Sequence, residues 1–411
     1  MPLLALLAIV AAILLTSGAS HAQAADDDAR ICAGEIAAQP EDRIAACSTI
    51  LDGSTLTDKA RAAILANRGT VYRGVGQAIR AIQDFDAALE LDAYLTAAYL
   101  GRGHAYADLG ETQRAIGEFT SIIDLDPGNA DAYNARCDAF NVGQRPDLAI
   151  PDCDEAIKLD PARAAPWYNR AFAYHSLKEF EQAIRDYGEA IKLQPGNAAA
   201  YDNRGNALTM TRTYEPAIRD FDEAIRLKPQ EASYYADRCA TYTFMKQYDR
   251  ALADCDEAIR IDVRLAAGYR NRGMLYSNME KGTLAIEDYS RALAIDPEDA
   301  EALNGRCYER AIRNELQTAL ADCEDSLRLR PDDSVTLDSR GFTWLKLGQF
   351  QAALADFNAA LEIDPKYASS LYGRGITKLR LGDATGNADI AAAKAIQTDI
   401  AEEYARYGVR P

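Results

Sequence analysis

The sequence is poor in the side chains that carry out chemistry. It has three histidines among 411 residues, no Cys-x-x-Cys pair, no zinc-ligand spacing and no glycine-rich loop of the kind that cradles phosphate. Nucleophilic catalysis with a histidine base would have to use His104 or His175, because His21 belongs to the N-terminal segment described below. We therefore predict a protein that is not an enzyme and that has no cofactor or metal. An enzyme, or an accessory domain that recruits one, is the competing class.

Positive charge is also scarce. The 45 Lys and Arg are outnumbered by 63 Asp and Glu, which gives a net charge of −18 and an isoelectric point near 4.7. An acidic surface repels phosphates, so the composition argues against nucleic acid or an anionic membrane as the partner. It favours a neutral to basic protein or peptide partner, although the same acidity also suits a well-solvated exterior.

Only one long apolar run is present, at Leu3–Leu15, and it is too short to span a membrane as a helix. Small residues follow it at Ala22 and Ala24, which predicts a secretory signal peptide cleaved after one of them, with no membrane span in the mature chain. No Lys or Arg precedes the run, so an uncleaved N-terminal anchor facing the periplasm is the alternative. We expect the protein in the periplasm of a Gram-negative bacterium, or secreted from it.

The sequence is rich in repetition. An arginine recurs at intervals of 34 residues in ten places: Arg68, Arg102, Arg136, Arg170, Arg204, Arg238, Arg272, Arg306, Arg340 and Arg374. When this arginine is numbered position 7, repeat 1 begins at Ala62 and repeat 10 at Ala368. Position 8 is then Gly, Ala or Cys, and in the first nine repeats position 20 is Ala and position 24 is Phe, Tyr or Cys. Such regularity predicts ten copies of one structural element.

The apolar positions of each repeat predict two short amphipathic helices. Positions 4, 8 and 11 share one helical face, and positions 20, 24 and 27 share another. The small residue at position 8 lets the two backbones approach closely. Proline at position 32, present in seven repeats, ends the second helix because it lacks an N–H and disfavours helix in the residue before it. Neither helix can bury its apolar face alone, so stacked pairs must share one continuous core.

These positions resemble the tetratricopeptide repeat family over about residues 62–395. Besides the small residue at 8, Ala at 20 and Pro at 32, position 4 carries aromatic rings at Tyr99, Tyr133, Trp167, Tyr201, Tyr235 and Tyr269. Position 7 departs from the family, which usually has Leu where this chain has Arg. The resemblance implies an all-α, right-handed superhelical solenoid of antiparallel helix pairs, with a concave face that holds a partner polypeptide. An exported bacterial member of the family is the expectation.

Four segments are expected along the chain. Residues 1–24 are the cleaved signal peptide, and residues 25–61 form a shortened helical unit. The repeat solenoid occupies residues 62–387. Near residue 387 the repeat pattern slips by one position, and the remaining residues, 388–411, are expected to form one C-terminal capping helix that shields the last apolar face.

The cysteines pair with each other by position. Six of the eight fall at positions 8 and 24 of the same repeats, which pairs Cys137 with Cys153, Cys239 with Cys255 and Cys307 with Cys323. Position 8 faces position 24 across the helix pair at a separation that suits a disulfide. Cys32 and Cys47 are predicted as a fourth bridge, because residues 44–47 match the pattern of residues 82–85. Metal ligands and redox centres are the alternatives, but no histidine lies near any pair.

The recurring charges predict a ladder of ion pairs. The arginine at position 7 and the Asp or Glu at position 23, as in Arg68 and Asp84, have the right signs to pair between helices. A partly buried network of this kind would constrain how the helices pack. The alternative is a track of arginines that grips carboxylates of a partner.

By resemblance to the family, positions 2, 5, 9, 12 and 13 of the first helix line the concave face. Aromatic and amide side chains at these positions suit an extended peptide, because rings supply contact area and amides satisfy backbone groups. We therefore predict a non-catalytic interaction scaffold in the cell envelope. The alternative is a structural subunit of an envelope assembly or export complex that uses its convex face or its ends. The candidate groove residues are Asn134, Asn141, Tyr168, Phe172, His175, Asn206, Phe244, Arg270, Met274, Asn278, Asn304, Tyr308 and Phe342.

Overall fold

In a computed structural model, which describes residues 19–53 and 55–410, the regular structure is entirely helical. The described residues form 23 helices, and they divide into two compact halves at Gly196. The N-terminal half contains α1 (Ala19–Ala33), α2 (Pro40–Gly53), α3 (Asp58–Gly74), α4 (Ala78–Leu91), α5 (Thr96–Asp108), α6 (Thr112–Leu125), α7 (Ala130–Val142), α8 (Pro146–Leu159), α9 (Ala164–Ser176) and α10 (Phe180–Leu193).

The C-terminal half begins at Asn197 and continues the same alternation of helices. The prediction of an all-α stack of antiparallel helix pairs is confirmed. Its helices are α11 (Ala198–Met210), α12 (Tyr214–Leu227), α13 (Ala232–Phe244), α14 (Tyr248–Ile261), α15 (Ala266–Asn278), α16 (Gly282–Ile295), α17 (Ala300–Ile312), α18 (Leu316–Leu329), α19 (Ser334–Lys346), α20 (Phe350–Ile363), α21 (Ala368–Arg380), α22 (Gly386–Ile396) and α23 (Ile400–Arg406).

A single left-handed residue turns the chain between the two helices of every repeat. Position 15 has a positive φ in all ten repeats, at Gly76, Gly110, Gln144, Lys178, Arg212, Lys246, Glu280, Asn314, Gly348 and Gly382. The residue after it donates its N–H back to the carbonyl of position 11, as Gln77 does to Tyr72 at 2.8 Å. This hydrogen bond closes the end of the first helix and sends the second helix back antiparallel to it.

The ring at position 24 fills the space that small residues leave open. Phe85 on α4 is fully buried and lies against two glycines, Gly69 on α3 and Gly101 on α5. A Cβ atom on Gly101 would lie 2.3 Å from the ring, so the ring packs directly on the backbone of the next repeat. One side chain therefore joins three helices, and this contact sets how closely successive pairs approach.

First and second helices have different neighbours within each half. Successive first helices contact each other, as α7 does α9 and α13 does α15. In the described residues, successive second helices make no contact of comparable extent. The first helices therefore line one side of each half, which we call the inner face.

The C-terminal end differs from the prediction of one capping helix over residues 388–411. The chain forms two helices there, α22 and α23, separated by the extended backbone of Gln397 (φ −131°, ψ 105°). Helix α22 packs on α21 as the second helix of repeat 10, and Arg374 pairs with Asp389 at 2.7 Å. The one-residue slip in spacing hid this pairing in the sequence. Of these two helices, only α23 lies outside the repeats.

The N-terminal segment is described in part. The apolar run Leu3–Leu15 of the predicted signal peptide lies outside the described residues, and α1 begins at Ala19. Helices α1 and α2 pair with each other and precede the first full repeat. Within residues 19–53 and 55–410, no helix combines the length and the apolar character needed to cross a membrane.

Substitution of Gly101 tests the packing of the position-24 ring. Gly101→Ala should lower the free energy of unfolding by about 1–3 kcal/mol, because the added methyl group overpacks the ring of Phe85. Gly117 is the matched control, since it lies inside α6 with no atom near its would-be Cβ. There Gly117→Ala should raise stability by up to ~1 kcal/mol. Urea denaturation followed by circular dichroism measures both changes. Equal changes in the free energy of unfolding for the two variants would contradict close packing of Phe85 against Gly101.

Candidate protein-binding surface

The two amides predicted on the inner face of the N-terminal half both bind Asn169 of the next repeat. Asn169 on α9 donates its side-chain N–H to the oxygen of Asn134 at 3.1 Å. Asn141 on α7 donates to the backbone carbonyl of Asn169 at 2.8 Å. The prediction missed Asn169, which follows the repeat that has Cys153 at position 24.

The predicted aromatic residues of this half differ in exposure. The ring of Tyr168 lies 5.6 Å from that of the buried Tyr187, so it belongs largely to the core. Phe172 is 40% exposed and has its ring on the inner face. His175 packs edge-on against Phe180, and burial lowers the pKa of its imidazole. Phe172 is therefore the predicted ring of this half that is open to a partner.

The two histidines considered for catalysis are each packed against a phenyl ring. His104 lies 5.3 Å from Phe119, and His175 lies 5.4 Å from Phe180. Burial lowers the pKa of His104 as well. The two histidines lie on different first helices, α5 and α9, so the structure gives no shared constellation within the described residues.

In the C-terminal half, several predicted side chains have partners within the chain. Arg270 forms ion pairs with Asp299 at 3.0 Å and Glu301 at 3.4 Å. Asn278 donates to the carbonyl of Met274 at 2.9 Å. The side chain of Met274 is half-buried. Arg270 and Asn278 therefore bind groups of this chain.

Two apolar side chains remain open at the ends of α11 and α13. Met210 is 60% exposed, and the predicted groove residue Phe244 is 50% exposed beside the ring of Tyr214. Both side chains occupy position 13 of their repeats. They offer apolar contact area on the inner face of the C-terminal half.

The prediction missed a group of carboxylates on the same two helices. Asp202 on α11 is 8% exposed, and one of its carboxylate oxygens has no hydrogen-bond partner. Burial, and after it the charge of Asp237 on α13, raises the pKa of Asp202 to about 8. Asn206, a predicted groove residue, donates to Asp237 at 2.8 Å. We call Asp202, Asn206, Glu231 and Asp237 the Asp202 pocket. The sequence could have indicated it, because Asp202 occupies position 5, one of the positions expected to line the concave face.

The predicted groove residues nearest the C-terminus are covered by the chain itself. Phe342 is 1% exposed and packs against Tyr404 (5.4 Å between ring centres) and Tyr407 (6.1 Å). Tyr308 packs against Tyr407 at 6.2 Å, and its hydroxyl donates to Glu403 at 3.4 Å. Phe342 and Tyr308 are thus not free for a partner in this structure. The break after α22 turns α23 back onto the inner face, which the repeat pattern could not predict.

Residues 397–410, which we call the C-terminal segment, also make polar contacts with the inner face. The hydroxyl of Tyr404 donates to the carbonyl of Ser369 at 2.9 Å. Arg406 pairs with Glu280 at 3.0 Å. Asn304, another predicted groove residue, is half-buried and its side-chain oxygen has no hydrogen-bond partner. The segment therefore lies on the first helices of repeats 8 to 10 through rings and hydrogen bonds, and Arg406 reaches the turn of repeat 7.

The predicted charge ladder is present in all ten repeats. Arg238 binds Asp254 through two hydrogen bonds of 2.7 Å, and a third N–H reaches Asp222 of the preceding repeat at 2.5 Å. The side chains of the ten arginines are between 15% and 26% exposed. Their guanidinium groups already bind carboxylates of this chain. This favours the ion-pair ladder over the alternative, in which the arginines bind carboxylates of a partner. The acidic partners are Asp84, Glu118, Asp152, Asp186, Asp220, Asp254, Asp288, Asp322, Asp356 and Asp389.

The eight cysteines lie together in the predicted pairs. The Cα–Cα separations are 4.9 Å for Cys32 and Cys47 and between 5.4 and 5.5 Å for the other three pairs. All eight side chains are buried, and no cysteine of the described residues is left unpaired. In the same part of the chain, no cluster of three or more His, Cys, Asp or Glu has the arrangement of a metal site.

Comparison with known families gives one consistent result. Family models described as tetratricopeptide repeat match residues 66–130, 100–166, 164–197 and 266–299, and one described as TPR repeat matches residues 345–382. A search of curated proteins gives no match.

Solved structures resemble the chain at low identity. The APC/C hetero-tetramer Cut9–Hcn1 is 14% identical, with a TM-score of 0.54 over 90% of this chain and 93% of that chain. YrrB, titled a TPR protein with an unusual peptide-binding site, is 19% identical with a TM-score of 0.39, over 45% of this chain and 95% of that one. PilF of Pseudomonas aeruginosa is 21% identical with a TM-score of 0.44, over 50% and 94%. The first of these likenesses shows the fold alone.

Removal of the Asp202 carboxylate should change how stability depends on pH. In the folded protein this carboxyl keeps its proton up to about pH 8, whereas in the unfolded chain it releases it near pH ~4. The wild-type protein therefore loses stability as pH rises through that range. Asp202→Asn lacks this titration, so its free energy of unfolding should rise relative to wild type from about pH 4 to 8 and then level off.

Urea denaturation at three pH values across that range measures the difference. Glu287→Gln is the control, because Glu287 is exposed on α16 and the substitution removes the same formal charge. The difference in free energy of unfolding between Glu287→Gln and wild type should stay nearly constant across these pH values. Parallel stability curves for Asp202→Asn and wild type would contradict the buried state of this carboxyl.

Proposed function

Because this chain belongs to the tetratricopeptide repeat family, we propose that it is a non-catalytic scaffold that binds a polypeptide segment on its inner faces. The observation that carries this proposal is the position of the C-terminal segment, which lies on the first helices of the last repeats. A surface that holds one segment of polypeptide through rings and a few polar groups has the chemistry to hold another.

The covered and open parts of the inner face use the same repeat position. Position 9 carries Tyr308 and Phe342 beneath the C-terminal segment. The same position carries Phe172 in repeat 4, where the ring is 40% exposed. In repeat 4 the ring has no covering segment within the described residues. We assign this ring, with Met210 and Phe244 in the other half, as contact points for the partner.

We propose that the protein works outside the cytoplasm, in the bacterial envelope. The pairing of all eight cysteines suits an oxidising compartment, and the apolar run at Leu3–Leu15 suits export. The buried pairs lie inside single repeats, where they take the place of the position-24 ring. They are best explained as structural disulfides.

Photo-crosslinking from defined positions tests which face binds the partner. A photoreactive phenylalanine analogue at position 172 or 244 should give partner adducts in intact cells. The same analogue at Leu193 or Ile363, which are exposed on the second helices α10 and α20, should not. Adducts from the second helices alone would favour a structural subunit that uses the opposite face.

Truncation of Phe172 measures its share of the binding energy. Phe172→Ala should weaken capture of the crosslinked partner by about 2 kcal/mol, the cost typical of a central aromatic contact. Leu193→Ala removes a side chain of similar exposure from a second helix and should leave binding unchanged. Circular dichroism should show the same helix content for both variants. Unchanged binding by Phe172→Ala would place the contact elsewhere.

The state of the cysteines is measured by mass analysis of unreduced proteolytic fragments from exported protein. Fragments that contain Cys137 and Cys153, or Cys32 and Cys47, should appear as linked pairs that separate on reduction. Free thiols at these positions would contradict both the disulfides and the proposed compartment.

A further inference from the structure

Two aspartates occupy position 5 on first helices of the C-terminal half, and their surroundings differ. Asp338 on α19 is buried, and both of its carboxylate oxygens accept hydrogen bonds, from Ser369 at 2.7 Å and Ser370 at 2.6 Å. The C-terminal segment covers this site, because the hydroxyl of Tyr404 contacts the hydroxyl of Ser369 at 2.9 Å. Beneath the C-terminal segment, both carboxylate oxygens of Asp338 thus have hydrogen-bond donors.

Asp202 is also buried, but it does not receive the corresponding serine hydrogen bonds. In the following repeat, Ser233 takes the position of Ser369, and its hydroxyl donates to Glu231 at 3.1 Å. One oxygen of Asp202 is left without a hydrogen-bond partner, which is costly for a buried polar group. Among the described residues, Asp202 is the aspartate for which burial leaves an oxygen unpaired.

The charges around Asp202 all have the same sign. Asp237 and Glu231 both act on the Asp202 carboxyl as negative charges. Arg270 acts on Asp237 as a positive charge, but it is itself held by Asp299 and Glu301. The charges that act on Asp202 are both negative, and a positive group from outside would offset them.

We infer that the Asp202 pocket receives the side chain of a lysine or arginine of the bound polypeptide, whose N–H groups bind the carboxylate of Asp237 and the unpaired oxygen of Asp202. This inference rests on the proposed function and names the chemistry of the partner. Asp237 is partly exposed, and Asp202 is buried. A positive charge there also matches the net charge of −18 on the chain.

The neighbouring side chains fit the rest of such a segment. Met210 and Phe244 lie about two helical turns further along the same helices, at 60% and 50% exposure. They offer apolar contact to residues beside the basic one. A metal ion suits the pocket less well, because the described residues hold no cluster of three or more side chains arranged for one.

A library of octapeptides with random sequences tests the inference on the full-length chain. Wild-type protein should enrich peptides with Lys or Arg at one fixed position. The double variant Asp202→Asn/Asp237→Asn should lose that enrichment. The matched control, Glu287→Gln/Glu362→Gln, removes two exposed carboxylates from second helices and should keep it.

A double-mutant cycle with one enriched peptide gives the pair-specific effect. Replacement of its basic residue by norleucine should weaken binding to wild type about tenfold to a hundredfold, the range for a hydrogen-bonded charge. The same replacement should have little further effect on the double variant, whose stability is checked by circular dichroism. If the norleucine replacement weakened binding equally in the double variant and in the Glu287→Gln/Glu362→Gln control, the peptide would be attracted to the acidic surface in general. That result would overturn the inference.

The remaining outcomes separate the inference from the proposed function. Enrichment of aromatic or apolar residues without a basic one would overturn the pocket but leave a peptide-binding scaffold. A library that yields no binder would overturn both. Stabilisation by Ca²⁺ that is lost in Asp202→Asn would assign the pocket to a metal ion and overturn the inference.

Discussion

The helix stack depends on the contact between a buried ring at position 24 and the bare backbone of the first helices beside it. Phe85 shows the arrangement, since it lies between Gly69 of its own repeat and Gly101 of the next. Because such a ring touches three helices, a repeat that carries one is held both internally and to its neighbour. A fixed repeat length follows, since an inserted residue would move the ring away from its glycine. The ion pairs beside the ring, such as Arg68 with Asp84, then fix the rotation of the helices.

Buried amides also link neighbouring first helices. Asn169 and Asn271 follow the repeats that carry Cys153 and Cys255 at position 24. Asn169 donates to Asn134, and Asn271 donates to the carbonyl of Ala236 at 2.8 Å. First helices are therefore held to each other by side-chain hydrogen bonds in addition to the apolar contacts of the core.

The fold was predictable because the same pattern of residues recurs in every repeat. Helix pairs, cysteine pairs and the arginine ladder all follow from spacing, and local periodicity determines each of them. For the binding surface, the sequence predicted which repeat positions face the partner but not which of their side chains are open. Whether Phe342 is open depends on where α23 turns, and that turn follows a break at Gln397 that no repeat pattern encodes. The unpaired oxygen of Asp202 depends on a hydroxyl in the next repeat that donates elsewhere.

Each of the cysteine pairs at Cys137–Cys153, Cys239–Cys255 and Cys307–Cys323 joins residues 16 apart, within a single helix pair. As disulfides, these pairs would stiffen individual hairpins but leave the junctions between them held by noncovalent packing alone. Under tension or on docking, flexing should therefore concentrate at the junctions. Neighbouring hairpins of one half would then shift against each other while each keeps its own shape.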